Sequence, residues 1–159
     1  YDSLLAFLDG EPLYQILRHH VNNKLIVGVY KSLQEDNQTE HFSAFVSKVA
    51  TLYLADAKET LKNGTFAESL CADSNANKII KGILWLQDEV VDYYCDEFAK
   101  LAVKNIDQFL CSRASFVLLG LVEKGGRDYL LNEVRKNKSK LATSPVGKFL
   151  QPLLSGKKQ

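Results

Sequence analysis

Apolar residues recur at three- and four-residue steps along most of the chain, the spacing of one face of a helix. In residues 3–21 they are Leu4, Leu5, Phe7, Leu8, Leu13, Ile16 and Leu17. Pro12, just after Asp9-Gly10, marks a break and then the first turn of a new helix. The same period runs through Phe42, Phe45, Val46, Val49, Leu52 and Tyr53. Asn63-Gly64 reads as a turn, with Thr65 as the cap of a helix through Phe66 and Leu70. Asp73-Ser74-Asn75 opens the next helix, carrying Ile79, Ile80, Ile83, Leu84 and Leu86. Residues 90–110 form a longer amphipathic stretch, Ser112 starts a helix that ends near Gly125-Gly126, and residues 129–134 open another. Ser144-Pro145 begins the last, with Phe149, Leu150, Leu153 and Leu154. The run Ile26-Val27-Gly28-Val29 is β-branched, but its flanks favour helix.

Three helix starts look alike. The stretch from Asp73 to Leu84 lines up with that from Cys111 to Val122 and with that from Thr143 to Leu154. Each has a turn, a small polar residue or glycine, and then an apolar helix. The equivalent positions Asn77, Ser115 and Gly147 recur at an interval of roughly 35 residues, and Ala44 lies a similar step upstream in a weaker copy. That period predicts an α-solenoid, in which each unit buries its apolar face against its neighbours. The alternative is a compact helical bundle whose amphipathic helices merely look alike. Either way the expected class is all-α, one domain over residues 1–159. The chain starts with Tyr and contains no Met, as expected of a piece of a longer repeat protein.

At these residues the chain resembles Pumilio-type (PUF) repeats, whose RNA-facing helix opens on Asp-x-x-Gly/Ala-Asn/Ser-aromatic-Val. It is most similar to their divergent nucleolar form, the nucleolar protein nine family, whose repeats often read Ala/Gly-Ser-His-Val-Leu. Arg113-Ala114-Ser115-Phe116-Val117-Leu118 carries the resemblance best. The resemblance implies that one side chain per repeat stacks on a base and two others, one turn apart, touch its edge. The edge positions are then Asn77 with Lys81, Ser115 with Leu119, and Gly147 with Gln151, and the stacking positions are Lys78, Phe116 and Lys148. Phe116 suits stacking, and Asn77, Ser115 and Gln151 suit hydrogen bonding to a base. Lys78, Lys81 and Lys148 suit phosphates, Leu119 has no polar atom, and Gly147 has only backbone. Loose binding dominated by the RNA backbone is therefore expected, rather than one base read per repeat.

Charge adds to this picture. The net charge is +1, yet from Arg127 onward eight Lys and Arg face only Asp128 and Glu133, a balance of +6 that leaves −5 on the first 126 residues. A basic end of this kind suits an anionic partner. No apolar run approaches the ~18 residues of a membrane span, and no secretory signal opens the chain. Cys71, Cys95 and Cys111 are odd in number and lack CxxC spacing, so they are expected as reduced, small apolar residues rather than a disulfide or zinc set. The three Asn-x-Ser/Thr tripeptides, at Asn37, Asn63 and Asn137, are expected by chance in an Asn-rich chain. His19-His20 is an adjacent pair whose side chains diverge on a helix, and no phosphate loop, nucleophile elbow or HExxH is present. The sequence therefore predicts no enzyme, no metal and no cofactor.

The reading that follows is an RNA-binding helical-repeat module, without membrane contact, acting on pre-ribosomal RNA in small-subunit assembly in the nucleus or nucleolus. It expects one basic concave face carrying Lys48, Asn77, Lys78, Lys81, Ser115, Phe116, Lys148 and Gln151. The alternative is a cytoplasmic helical adaptor that grips a partner helix or peptide in an apolar groove.

Overall fold

In a computed structural model, which describes residues 6, 8–19 and 24–155, every regular element is helical. The helices are α1 (Gly10–Arg18), α2 (Lys24–Glu35), α3 (Thr39–Asn63), α4 (Ala76–Leu84), α5 (Glu89–Lys104), α6 (Ile106–Leu110), α7 (Ser115–Lys124), α8 (Asp128–Lys136) and α9 (Gly147–Leu154). Short 3-10 turns at Phe66–Glu68 and Lys138–Thr143 join α3 to α4 and α8 to α9. Leu4, Leu5 and Phe7 lie outside the described residues.

The predicted periodicity accounts for most of these elements. The β-branched run at Ile26 lies inside α2, with Ile26 and Val29 buried on one face. Asp9 caps α1 by accepting from the Gly10 N–H at 2.9 Å, and Pro12 sits in the first turn. Gly64 closes α3 in the left-handed region at φ 73°, a conformation that favours glycine. Two elements differ from expectation. The amphipathic stretch over 90–110 is two helices, broken at Asn105, whose own amide side chain turns back to the Leu101 carbonyl at 3.0 Å. The helix expected after Thr65 is only a 3-10 turn, and the Thr65 side chain does not cap it. There the Asp56 carboxylate takes the Leu70 N–H at 2.6 Å and holds the segment against α3.

The helices pack through two sets of contacts. In one, α4 touches both α1 and α7; in the other, α5 touches both α3 and α8. Among the described residues the seam of α4 on α7 is the most extensive between two helices, and α3 and α7 each pack on both α4 and α5. One continuous apolar cluster runs from Leu8 to Leu150, with Phe45, Tyr53, Phe98 and Phe109 fully enclosed. Burial of that area is the main force for folding.

Polar ties fasten these contacts. The Lys124 ammonium, at the end of α7, donates to the carbonyls of Leu84 at 2.8 Å and Leu86 at 2.9 Å, covering the open C-terminal end of α4. It also faces the Asp92 carboxylate of α5 at 3.3 Å. Arg127 bridges to Asp96 at 2.8 Å and to the Gly125 carbonyl at 3.0 Å. Cys71 and Cys95 are buried, as expected of small core residues, and burial pushes both thiols up, against the pull of the Lys124 ammonium beside Cys95. Cys111, by contrast, is exposed in the turn before α7. Among the described residues no helix is long and apolar enough to cross a membrane.

Candidate nucleic-acid interface

The three helix starts that align in sequence share a local structure. Before α4, α7 and α9, a side-chain oxygen accepts the backbone N–H two residues ahead: Asp73 from Asn75 at 2.8 Å, Ser112 from Ala114 at 3.2 Å, and Ser144 from Val146 at 3.4 Å. Such short-range bonds favour a turn over continued helix, and so set where each helix begins.

The small residues that follow are buried. Asn77 is 3% exposed and Ser115 is fully enclosed. The Asn77 amide donates to the Arg113 carbonyl at 3.4 Å, which ties α4 to the turn before α7. The Ser115 hydroxyl is buried with no hydrogen-bond partner among the described residues. Gly147 is buried too, and a Cβ there would run into the Leu141 carbonyl. The recurring small residue thus serves close approach of one segment to the next. The burial of Asn77 and Ser115 leaves little side-chain surface for a base, although Asn77 still lines a cleft at the α4–α7 seam.

The residues one and four positions further on are placed differently. Lys78 is exposed, while Lys81 and Phe116 are half-buried, and all three line one cleft at the α4–α7 seam. That cleft, of about 380 Å³, is completed by Ser74, Asn77 and Arg113. A second hollow of about 440 Å³ adjoins it, because Lys78 and Lys81 line both; its other walls are Gly82, Trp85 and Glu123. The stem of Lys81 lies across Gly120, where an added Cβ would sit 3.2 Å from its Cγ. A methyl in place of that hydrogen would make the lysine stem shift by a few tenths of an ångström. Three cations and two aromatic rings therefore line two adjoining hollows at the α4–α7 seam, with Glu123 the one carboxylate among their lining residues.

Lys148 and Gln151 lie apart from these residues, in a pair of adjoining clefts beside α9. Lys138 lines both clefts and Arg135 one of them, and no Asp or Glu lines either. The Lys148 ammonium stands 5.1 Å from the ring centre of Phe149, which is half exposed. Leu119 is buried. Lys48 sits on α3 and pairs with Asp9 at 3.7 Å; it lines none of the four clefts. The expected residues thus line separate clefts, Lys78, Lys81 and Phe116 at the α4–α7 seam and Lys148 and Gln151 beside α9, while Lys48 lines none of these four.

Arg113, Trp85, Arg135 and Lys138 were not singled out by sequence reasoning. Arg135 and Lys138 belong to the basic excess after Arg127, which was visible as charge but not as a site. Arg113 stands two residues before Ser115, and Trp85 ends α4, where the chain's lone tryptophan reads as one more apolar helix residue. Comparison of the chain with family models, with curated proteins and with solved structures finds no match, so the resemblance to Pumilio-type repeats rests on the repeat residues alone.

Proposed function

We propose that this chain is an RNA-binding helical-repeat module that holds single-stranded RNA chiefly by its phosphates. The observation that carries the proposal is the grouping of Lys78, Lys81 and Arg113 with Phe116 and Trp85 in the groove of two adjoining hollows along the α4–α7 seam. Cations there attract the backbone, and flat rings accept unstacked bases whatever their sequence. The clefts beside α9, lined by Arg135, Lys138 and Lys148 without a carboxylate, supply a second cationic surface. Burial of Asn77 and Ser115 fits a module that does not read one base per repeat. The resemblance to nucleolar PUF-like repeats extends the proposal to pre-ribosomal RNA, small-subunit assembly and the nucleolus.

The test is fluorescence anisotropy with a pool of short single-stranded RNAs at two salt concentrations, for the wild type and for Lys78→Glu/Arg113→Glu. Micromolar or tighter binding that weakens with salt and is lost in the variant, at unchanged helicity, supports the reading. A folded wild type that binds no RNA at low salt sinks it and turns attention to a protein partner.

A further inference from the structure

We infer that the Trp85 end of the groove is a base-selective subsite that takes guanine, stacked on the indole and held by the Glu123 carboxylate. This rests on the RNA reading above and adds to it a preference among bases. Trp85 is 52% exposed, although it ends a helix whose Ile79, Ile80, Ile83 and Leu84 are buried. A large ring left half in water at the wall of a hollow of about 440 Å³ offers a flat face to a planar ligand. Lys78 and Lys81 line the same hollow, so the phosphates flanking a stacked base meet positive charge there.

Glu123 brings the selection. It is the one carboxylate lining the groove, it comes from α7 while Trp85 comes from α4, and among the described residues no hydrogen bond or ion pair engages it. A carboxylate only accepts, and it accepts best from two donors side by side. Guanine presents N1–H and the N2 amino group next to each other on its Watson–Crick edge. Cytosine and adenine each set one amino group beside a ring-nitrogen acceptor, which a carboxylate repels. Uracil sets one N–H between two carbonyl oxygens. The order expected at Glu123 is therefore guanine first and uracil last, and a bidentate pair of this kind discriminates by about tenfold or more.

The lone tryptophan makes the subsite directly observable. Its fluorescence is followed while the wild-type chain is titrated at low salt with a short oligouridine and with the same oligomer carrying one central guanosine, which avoids guanine quadruplexes. The expected result is quenching by both, about tenfold tighter for the guanosine oligomer, with the preference reduced to under about threefold in Glu123→Gln at unchanged helicity. Equal affinity for the two oligomers overturns guanine selection while leaving RNA binding standing. Binding seen by anisotropy without any change at Trp85 likewise overturns the subsite alone. Absence of binding to either oligomer by the folded protein overturns the subsite and the RNA reading together.

Discussion

The Tyr53 hydroxyl of α3 donates to the carbonyl of Ala76, the first residue of α4, over 2.6 Å, at a place where Tyr53 is wholly enclosed. Burial first, and then the nearby Cys71, Asp73 and Asp56, push the phenol well above its usual range, so it stays a protonated donor at any ordinary pH. This bond fixes the start of α4, and with it the height of Lys78 and Lys81 above the seam. Tyr53→Phe removes this bond while the Ala76 carbonyl, in the first turn of α4, still accepts within the helix, and is expected to cost about 0.5–1.5 kcal/mol in urea unfolding. A loss within experimental error would show that the bond adds no net stability.

Lys124 holds the other end of α4. Lys124→Met strips the Leu84 and Leu86 carbonyls of their charged donor and is expected to cost about 2–4 kcal/mol. Asp92→Asn should cost under about 1 kcal/mol, since Asp92 is largely exposed and its pairing with Lys124 is screened by water. Chemical denaturation of both variants checks the order, and a larger loss in Asp92→Asn would reverse the assignment.

Asp56 gives a pH signature. Burial raises its carboxyl above the usual value, against the opposing pull of the Leu70 N–H and of Arg18. A carboxyl raised by folding adds stability below its unfolded value, and that stability is lost as pH rises through the folded one. Asp56→Asn removes the effect and keeps an oxygen that accepts from Leu70. The variant's stability relative to wild type should therefore improve from about pH 3 to about pH 7, measured by urea midpoints. A relative stability that falls over this range contradicts the assignment.

Two glycines should respond in opposite ways. In Gly120→Ala the new methyl meets only the flexible stem of Lys81, and the gain in helix propensity offsets the contact, so stability should change by under about 1 kcal/mol. Displacing Lys81 should nevertheless weaken RNA binding. In Gly147→Ala the methyl meets the Leu141 backbone, and the chain must shift, at an expected cost of about 3 kcal/mol or more. Thermal unfolding of the pair, with anisotropy for Gly120→Ala, checks both.

The helical class was legible because Phe42, Phe45, Val46, Val49 and Tyr53 keep one buried face along α3, and such a period has no strand equivalent. The helix starts were legible within a few residues from Asp73, Ser112 and Ser144, whose oxygens do bind the turn backbone. The break at Asn105 was not, because it comes from one side chain folding back on Leu101 while the apolar pattern continues past it. At the interface, aligned positions identified Lys78, Lys81 and Phe116, which do meet in one cleft. The same alignment could not show that Asn77 and Ser115 point into the packing, since a small polar residue suits a buried seam as well as an exposed face. Trp85, Glu123 and Arg113 reach the groove through the contact of α4 with α7, and no spacing within one helix encodes that contact.

The most direct test of the RNA reading is the salt dependence of binding to a short single-stranded RNA, for wild type and Lys78→Glu/Arg113→Glu. With about three phosphates neutralised at the α4–α7 groove, log K should fall with log salt at a slope of about −2, roughly a twentyfold loss between 50 and 200 mM. The double variant should bind weakly and show little salt dependence. No wild-type binding at low salt, or a slope unaltered in the variant, would contradict the account.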